Sequence, residues 1–510
     1  MRCFSTEHIT ARLCALSLAI AFGGCTVGID ISLVNGAQLF FVTRFHLDGT
    51  LHGLTSAATL IGAVVGSFMS SLLNLFIGRR GAMFVASLVA VGAGLIEAFA
   101  NIWGVLLFSR IFLGISFGIY SSTIPIYLSE SSPAAVRGAL TAIYQLSLTF
   151  GLFFGSIADA AFVQVEHGWR LMLGSVIVPP SFCFVGLIFT PESPRWLIWK
   201  HKEAEALRCL LKLRKTETEA LQDLARIKES LNADSEHWTW YHFLKKILNT
   251  KCIRRALSVG IFLQIARQLS GVNAMSYYID IVLRKAGLSI STTIYISVSY
   301  MFSTVLFTFP LFWIVDRLGR RILLVATMPV ISLTLLLIGF SFYGNKEIRI
   351  SLCLVGFFIM RAFFSPGLGP VSWVICSEIF PLQVRAECLS IVSFASYAFN
   401  FVISFVFPDM ISKMKAQGAF SFFAGFTLFN WIIFFLFVPE TKGIELEGVE
   451  QLFEKPWSEH ARKHIEEVAK LFSCYRTNQS APSVDAMPSS SMRETVGTKD
   501  DQLDNQLGVK

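Results

Sequence analysis

Long apolar stretches alternate with short polar connections along most of the chain. Stretches of about 18 or more apolar residues indicate membrane-spanning helices, because a helix needs about 20 residues to cross the hydrocarbon layer. About twelve stretches qualify by this criterion: 12–40, 52–76, 82–101, 104–128, 139–162, 171–190, 256–284, 291–315, 322–343, 350–377, 388–410 and 418–438. The pattern predicts an all-α membrane protein with twelve transmembrane helices, with boundaries good to several residues.

The polar connections repeat one order of motifs in the two halves of the chain. "VDRLGRR" occupies 315–321 and an altered copy, "LFIGRR", occupies 75–80, each between two apolar stretches. Two stretches later, "SESSPAAVRG" at 129–138 matches "SEIFPLQVRA" at 377–386. This order predicts two six-helix halves of common origin, an arrangement typical of proteins that move solutes across membranes.

The repeats and the composition between them divide the chain into four parts. The first six-helix half covers 1–190, and the second covers 256–438. Between them, 191–255 is polar and rich in helix-forming residues, which predicts two or three short amphipathic helices on the cytoplasmic surface. The part 439–510 begins with a charged stretch compatible with helix to about residue 472, and it ends in a polar segment that we expect to be disordered.

Charge is scarce and unevenly placed. The chain is 54% hydrophobic and 15% charged, whereas soluble domains carry roughly 25% charged residues. The net charge of +8 comes from basic residues concentrated in the even-numbered connections. Positively charged connections face the cytoplasm, so both termini are predicted to be cytoplasmic. This placement indicates that the charge orients the protein in a membrane, and it argues against nucleic-acid binding.

The sequence contains no pattern typical of an enzyme or a metalloprotein. Its ten cysteines are scattered without metal-ligand spacing, so free thiols are expected. No nucleophile–base pair and no cofactor-binding motif stands out. We therefore expect no cofactor, no metal and no catalytic activity.

Four further motifs complete a set that resembles a known family. "PESPRWL" stands at 191–197, "QLSGVNAMSYY" at 268–278, "GPVSWVICSEIFP" at 369–381 and "VPETKG" at 438–443. With the connection motifs, they resemble the sugar porter family of the major facilitator superfamily over about residues 10–445. The resemblance implies the two-half, twelve-helix fold of that superfamily, with a substrate site between the halves.

Charged residues in the repeated connections are candidates for a latch that holds the cytoplasmic ends of helices together in one state of the transport cycle. The alternative is that they only anchor the topology. In the first half, Leu75 and Phe76 stand where the motif has an acid and a base, so we expect a weaker latch there. The candidates are Glu130, Arg137, Asp316, Arg317, Arg320, Arg321, Glu378 and Arg385.

Polar residues inside the apolar stretches are candidates for substrate contacts, because such residues usually face a cavity. The resemblance assigns substrate binding to Gln145, Gln268, Asn273, Trp373 and Asn400. Amides suit a polyhydroxylated ligand because each provides donors and an acceptor, and an indole provides a flat apolar face. The alternative for each amide is a hydrogen bond between helices. Nearby, Gly367, Gly369 and Pro370 predict a break in the tenth helix.

The chain departs from the family at three positions near this site. Arg267 replaces the first of two adjacent glutamines, Ser365 stands where a glutamate is common, and Arg361 lies one turn earlier in an apolar stretch. The arginines predict either a substrate with an anionic group or pairing with an acid of the protein or with the negative end of a broken helix. We therefore include Arg267, Arg361 and Ser365 among the candidate substrate contacts.

Asp30 is the only charged residue between Arg12 and Arg44, within the first apolar stretch. It lies in "VGIDISLVNGA", which resembles the first-helix segment of proton-coupled members of the family. Arg110 in the fourth stretch is at a depth that its side chain can bridge. An acid that gains and loses an arginine partner can carry a proton. Glu97 is a competing partner, and a static ion pair is the alternative.

The sequence thus predicts a secondary transporter of a monosaccharide or polyol by alternating access in a membrane. We expect the plasma membrane as its location and H⁺ as its coupled ion. Three alternatives stay open: a facilitative hexose uniporter, an organic-anion or sugar-acid porter, and a nutrient sensor that does not transport. Its partners are the small solute, the proton and the lipid bilayer, with no nucleic acid.

Overall fold

The chain folds almost entirely into α-helices in a computed structural model, which describes residues 10–133, 137–233, 249–380, 384–438 and 440. In the first half, six helical segments cross the bundle, the sixth built from two helices joined by a 3₁₀ turn at Ser175–Ile177. They are α1 (Ala11–Arg44), α2 (Gly49–Phe76), α3 (Gly78–Ala98), α4 (Trp103–Ser131), α5 (Arg137–Phe162), α6 (Gly168–Gly174) and α7 (Val178–Phe189).

Three short helices follow in the segment between the halves. They are α8 (Pro194–Trp199), α9 (Glu203–Leu213) and α10 (Glu217–Ala233). Leu197, Cys209 and Leu213 are buried in one apolar cluster with side chains of α1, α3 and α4. The Arg214 guanidinium donates to the Ser131 carbonyl at 2.8 Å and to the Asp223 carboxylate at 2.7 Å. The predicted helices are therefore present, and they pack against the first half.

The second half contains six further segments, three of them interrupted. They are α11 (Lys251–Leu269) with α12 (Val272–Ala286), α13 (Ile290–Thr308) with α14 (Leu311–Leu318), α15 (Arg320–Ser341), α16 (Lys346–Phe364) with α17 (Leu368–Ile379), α18 (Arg385–Lys413) and α19 (Lys415–Phe437). The break between α16 and α17 lies at the glycine-containing segment predicted from the sequence. Within the described residues, eleven segments are long and apolar enough to span a membrane.

The seventh span is where the structure differs from the expected continuous stretch at 256–284. It is divided at Ser270 and Gly271. The second piece, α12, has only 15 residues, and α11, with 19 residues, carries too many charged side chains to count as a span by itself. Gly271 has φ of 71°. Glycine is favoured at this φ because it has no Cβ, and a Cβ would clash with the backbone in this conformation. The two helices together complete the twelve-span arrangement.

Small residues allow close packing within each half, and a few helices join the halves. Gly114 of α4 lies directly against the Thr59 backbone of α2, where a side chain would not fit. Between the halves, α2 packs along α18 and α5 packs along α13. Phe153 and Phe302 are in contact across the second of these seams, with ring centroids 5.3 Å apart. A third contact between the halves joins α1 to α12.

Residues 1–456 form one compact unit, and Trp457–Lys510 form a second. The second unit lies outside the described residues, as does the stretch to about residue 472 for which we considered a helix. The proposed boundaries at 190, 255 and 438 therefore stay predictions.

Candidate functional site

Two candidate residues lie close together, one on each side of the break in the seventh span. Gln268 ends α11 and is almost completely buried, while Asn273 begins α12 and is half-buried. Asn273 Nδ2 donates to Gln268 Oε1 at 2.6 Å, and Gln268 Nε2 donates to Ser396 Oγ of α18 at 3.0 Å. The turn at Gly271 thus brings both amides into one hydrogen-bonded row at mid-membrane depth.

Arg267 and Trp373 form a second pair beside this row. The guanidinium carbon lies 5.9 Å from the centre of the indole ring, a distance at which the cation and the ring attract each other. Nη1 of Arg267 also donates to Gln264 Oε1 at 3.5 Å, a long bond. Arg267 Nε is buried and makes no hydrogen bond within the described part of the chain.

Two more candidates lie on the helices that border this region. Asn400 lies one turn after Ser396 on α18, and its Oδ1 accepts from Ser404 at 3.3 Å. Gln145 of α5 is half-buried, and its carboxamide makes no hydrogen bond to another described residue. Leu148 of α5 and Tyr397 of α18 pack against the same apolar cluster. The first half therefore contributes α5 to the region in which the second half places Arg267, Gln268 and Trp373.

Arg361 occupies a separate place from Arg267. Its Nε donates to Thr304 Oγ1 at 2.5 Å, and its Nη1 donates to Ser276 Oγ at 3.5 Å. The guanidinium carbon lies 5.1 Å from the centre of the Tyr300 ring. Ser365, one turn further along, has a buried hydroxyl without a hydrogen-bond partner among the described residues. Of the alternatives within the protein, pairing of this arginine with an acid does not occur in the described part of the chain. Arg361 does lie in the last turn of α16, at the negative end of the broken helix.

Asp30, Arg110 and Glu97 meet in the middle of the first half. Arg110 Nη1 lies 3.3 Å from Asp30 Oδ1 and 2.9 Å from Glu97 Oε1, and all three side chains are at most 1% exposed. Arg110 Nε also donates to the Thr55 carbonyl at 2.8 Å. The sequence posed Asp30 and Glu97 as competing partners, whereas the structure gives the arginine both. If both acids are ionised, this cluster carries one uncompensated negative charge.

A further polar network, which the sequence reasoning missed, joins the halves near the end of α1. This end of the bundle, where α1 ends at Arg44 and α2 begins at Gly49, is here called the distal face. Gln38 Nε2 donates to the Tyr277 carbonyl of α12 at 2.6 Å, and Gln38 Oε1 is 2.9 Å from His52 Nε2. Asn35 Oδ1 accepts from the Asp280 backbone N–H at 3.2 Å. These bonds hold α1 against α12.

Two buried acids belong to the same region of contact. Asp159 of α5 lies against the Gly36 backbone, and one of its oxygens has no partner among the described residues. Asp280 accepts from Ser297 Oγ and is 1% exposed. A sequence signal existed for both, because each is an acid inside an apolar stretch. The distal face is therefore closed by polar contacts between the halves.

At the opposite end, two charge clusters repeat in the two halves. In the first, Arg79 pairs with Glu130 at 2.9 Å, and Glu192 accepts from the backbone N–H groups of Arg79 and Arg80 at 2.9 Å and 3.1 Å. Burial raises the pKa of the Glu192 carboxyl, and the neighbouring N–H groups oppose that rise. A carboxylate at these N–H groups is favoured because the start of a helix carries partial positive charge.

The second half repeats the arrangement. Arg320 pairs with Glu378 at 3.0 Å, and Glu440 accepts from the backbone N–H groups of Arg320 and Arg321 at 3.0 Å and 3.1 Å. The first-half cluster thus forms without the acid missing from its motif, using Arg79 and Glu130 instead. Leu75 and Phe76, at the altered positions, are exposed. A weaker latch in the first half stays a prediction.

The remaining latch candidates are less informative. Arg385 Nη2 donates to the Phe380 carbonyl at 3.0 Å, which fixes the start of α18. Arg317 lies at the end of α14 and is exposed. The side chains of Arg137 and Asp316 lie outside what the structure describes. No cluster of potential metal ligands occurs among the described residues.

Comparison with known proteins places the chain among transporters. The family model described as "Sugar (and other) transporter" matches residues 16–453. The galactose-proton symporter of Escherichia coli strain K12 is 31% identical over 88% of this chain and 95% of its own length. The glucose transporter GlcP of Staphylococcus epidermidis is 33% identical over 84% of this chain and 95% of its own length. The human proton myo-inositol cotransporter is 28% identical over 89% of this chain and 84% of its own length.

Solved structures show the same fold. The partially occluded inward-open structure of the xylose transporter XylE from E. coli is similar to this chain with a TM-score of 0.75, at 24% identity over 86% of this chain and all of that one. The family match covers most of the chain, including helices of both halves. This chain therefore belongs to the sugar transporter family, as a multi-pass membrane protein.

Proposed function

We propose that the protein carries a monosaccharide or polyol across the plasma membrane together with a proton. The relatives named for galactose-proton and inositol-proton transport support the substrate class and the coupling ion. Their similarity extends over both halves of this chain. The single observation in the molecule that carries the proposal is the buried Asp30–Arg110–Glu97 cluster.

This cluster has the charge balance that a proton site needs. One guanidinium neutralises one carboxylate, so the second carboxylate requires a proton to avoid an uncompensated charge inside the membrane. Glu97 Oε2 has no hydrogen-bond partner among the described residues, which leaves an oxygen able to hold that proton. When Arg110 shifts between the acids, the proton is released or taken up. Asp30 and Arg110 are the coupling residues, and Glu97 is the second acid.

Substrate binds between the halves, at the amides of the broken seventh span. Gln268 and Asn273 form the hydrogen-bonding row, and Trp373 provides the apolar face. Gln145 and Asn400 complete the ring of amides from α5 and α18. Gln268 and Asn273 form a hydrogen bond with each other. Substrate hydroxyls that bind here replace that hydrogen bond, rather than supplying a partner to a group that had none.

Transport proceeds by rocking of the two halves around this site. The distal contacts of Gln38, Asn35 and Asp280 close one access route. By the positive-inside distribution of basic residues, the distal face is extracellular and both termini are cytoplasmic. The repeated charge clusters at the opposite face are formed together with these distal contacts, and each ties helices of one half to one another.

Uptake by the purified protein in proteoliposomes tests this function. Labelled galactose and myo-inositol are offered with and without an inward proton gradient, and external pH is recorded. Accumulation above the external concentration, together with alkalinisation outside, is the expected result. Uptake that only equilibrates and moves no protons identifies a uniporter, while binding without uptake of any sugar identifies a sensor.

A further inference from the structure

We propose that Arg267 binds an anionic group of the transported molecule, so that the substrate is a sugar acid, a sugar that bears a carboxylate. This inference rests on the proposed transport function and specifies the substrate class of the same site. It starts from the charge of Arg267, which has no acidic partner among the described residues.

Arg110 shows how this fold treats an arginine that the protein itself neutralises. Arg110 has two carboxylates at 3.3 Å and 2.9 Å and a backbone carbonyl at 2.8 Å. Arg267 has one amide oxygen at 3.5 Å and the face of an indole. An arginine is costly at this depth unless its charge is matched. Arg267 lies in the last turn of α11, and a helix end carries only a partial negative charge. The contrast with Arg110 therefore indicates that a full matching charge for Arg267 comes from outside the protein.

Arg361, inside α16, also has no acidic partner among the described residues, but it is better satisfied than Arg267. Hydroxyls of Thr304 and Ser276 accept from it, and Tyr300 covers it. Its side chain is 3% exposed and lies among α12, α13 and α16. These contacts fix Arg361 within its own half. Arg267 instead keeps a buried Nε without an acceptor, next to the proposed sugar contacts.

The surroundings of Arg267 fit one kind of ligand. A guanidinium binds a carboxylate through two parallel N–H donors, and stacking on an aromatic ring keeps its plane fixed. Trp373 provides that ring. Gln268 follows Arg267 directly in the chain, and Asn273 donates a hydrogen bond to Gln268. A molecule with a carboxylate at one end and hydroxyl groups along the rest matches this sequence of donors and acceptors.

The inference has an electrical consequence. A neutral sugar carried with one proton moves one positive charge, whereas a singly charged sugar acid carried with one proton moves none. Transport of the acid is then driven by the pH gradient and is insensitive to membrane potential. Transport of a neutral sugar responds to both.

The experiment compares D-glucuronate with D-glucose in proteoliposomes that contain wild type, Arg267→Gln, Arg267→Lys or Arg254→Gln. Arg254→Gln is the matched control, since it makes the same change at an exposed position on α11. Uptake is measured at a set pH gradient, with and without an imposed potential. We expect wild type to take up glucuronate without net current. We expect Arg267→Gln to lose on the order of 10–100-fold in glucuronate affinity and to favour glucose.

The remaining outcomes separate this inference from the proposed function. Arg267→Lys should retain part of the preference for the acid, because the charge remains but the two-pronged geometry is lost. If wild type takes up glucose together with protons and does not take up glucuronate, the sugar-acid assignment is wrong and the proposed function stands. Equal selectivity in wild type and Arg267→Gln also overturns it. Uptake of neither compound, nor of galactose or inositol, contradicts both.

Discussion

Arg110 and Arg267 are both arginines inside spanning segments, yet their surroundings differ. Arg110 is matched by Asp30 and Glu97 within its own half, while Arg267 lies over Trp373 beside the amides. At this scale, we propose that side chains of the first half form the proton site and that Arg267 and Trp373 of the second half contribute to the solute site. Each role can be tested by a single substitution.

Asp30→Asn should abolish accumulation of substrate against its gradient, because it removes the acid that exchanges a proton beside Arg110. Exchange of labelled for unlabelled substrate should continue, since exchange requires only that the loaded protein rocks. External alkalinisation and counterflow in proteoliposomes measure the two activities. Asp409→Asn, the same change at a more exposed site on α18, is the control.

Glu97→Gln tests whether the second acid is needed for coupling. It should also abolish accumulation, because one guanidinium then faces one carboxylate and no proton is required to balance the charge. Proton movement that persists in Asp30→Asn at the wild-type stoichiometry would remove Asp30 from the coupling site. Loss of counterflow in either variant would point to a structural role for that acid.

Gln268→Ala and Asn273→Ala should each weaken substrate binding by about 1–3 kcal/mol, through loss of buried hydrogen bonds. The two losses should not add fully, because Gln268 and Asn273 bond to each other and share the site. Substrate affinity of the folded variants, measured by calorimetry, checks this. Wild-type affinity in both would exclude these amides from the site.

At the scale of elements, interruptions in helices position the site. α11 and α12 separate at Gly271, α16 and α17 separate before Leu368, and both breaks lie at the level of the candidate residues. An unbroken seventh helix would place Gln268 and Asn273, five residues apart, on different parts of its surface. The turn allows their side chains to bond at 2.6 Å.

Gly271→Ala should therefore damage the site through the backbone. Alanine at this position would have to adopt a φ of 71°, and its Cβ would lie 2.7 Å from Phe423 Cγ. We expect a loss of about 1–2 kcal/mol in stability from the backbone conformation, with further loss from the contact. Thermal unfolding in detergent and substrate affinity measure the effect. Gly425→Ala, where an added Cβ meets nothing within 4 Å, should be at least as stable as wild type, by up to about 1 kcal/mol, because alanine favours a helix interior over glycine.

An unfolding midpoint for Gly271→Ala equal to that of Gly425→Ala would contradict this account of the break. It would mean that the helices separate for a reason other than the conformation of Gly271.

At the scale of the whole molecule, the two halves make different contacts at the two faces. Polar groups of α1 and α12 close the distal face. The charge clusters at the opposite face lie within each half, as Arg79 with Glu130 and Arg320 with Glu378. Rocking that opens the distal face must break the bonds of Gln38 and Asn35.

Gln38→Ala should shift the population toward states with an open distal face. The variant loses the bond to the Tyr277 carbonyl at 2.6 Å and the acceptor for His52. If the closed state loses about 1–3 kcal/mol of stability, the ratio of open to closed molecules rises by roughly 5–150-fold. Spin labels at the exposed positions Thr43 and Arg284, in a background without other accessible cysteines, report the separation of the halves.

In Gln38→Ala, the fraction of molecules with the longer distance between the labels at Thr43 and Arg284 should increase. A pair of labels at Thr43 and Ile102, both in the first half, should give the same distance in both proteins. An unchanged Thr43–Arg284 distribution would show that the Gln38 bond does not hold the face closed.

The sequence by itself determined the spans, the repeated halves and the family. Membrane-spanning helices satisfy their own backbone hydrogen bonds, so a long apolar stretch defines an element without knowledge of its neighbours. Asp30 and Arg110 could be paired from the sequence because charged residues inside a membrane need partners, and few are available at one depth. The motifs indicated Gln268, Asn273 and Trp373 as members of one site.

The tertiary structure alone decided which side chains meet across helices from different parts of the chain. It gave Arg110 both Asp30 and Glu97, and it left Arg267 without an acid among the described residues. It also brought Gln38 to Tyr277. Such contacts depend on the rotation and tilt of packed helices, which are set by the fit of many small side chains rather than by any local pattern.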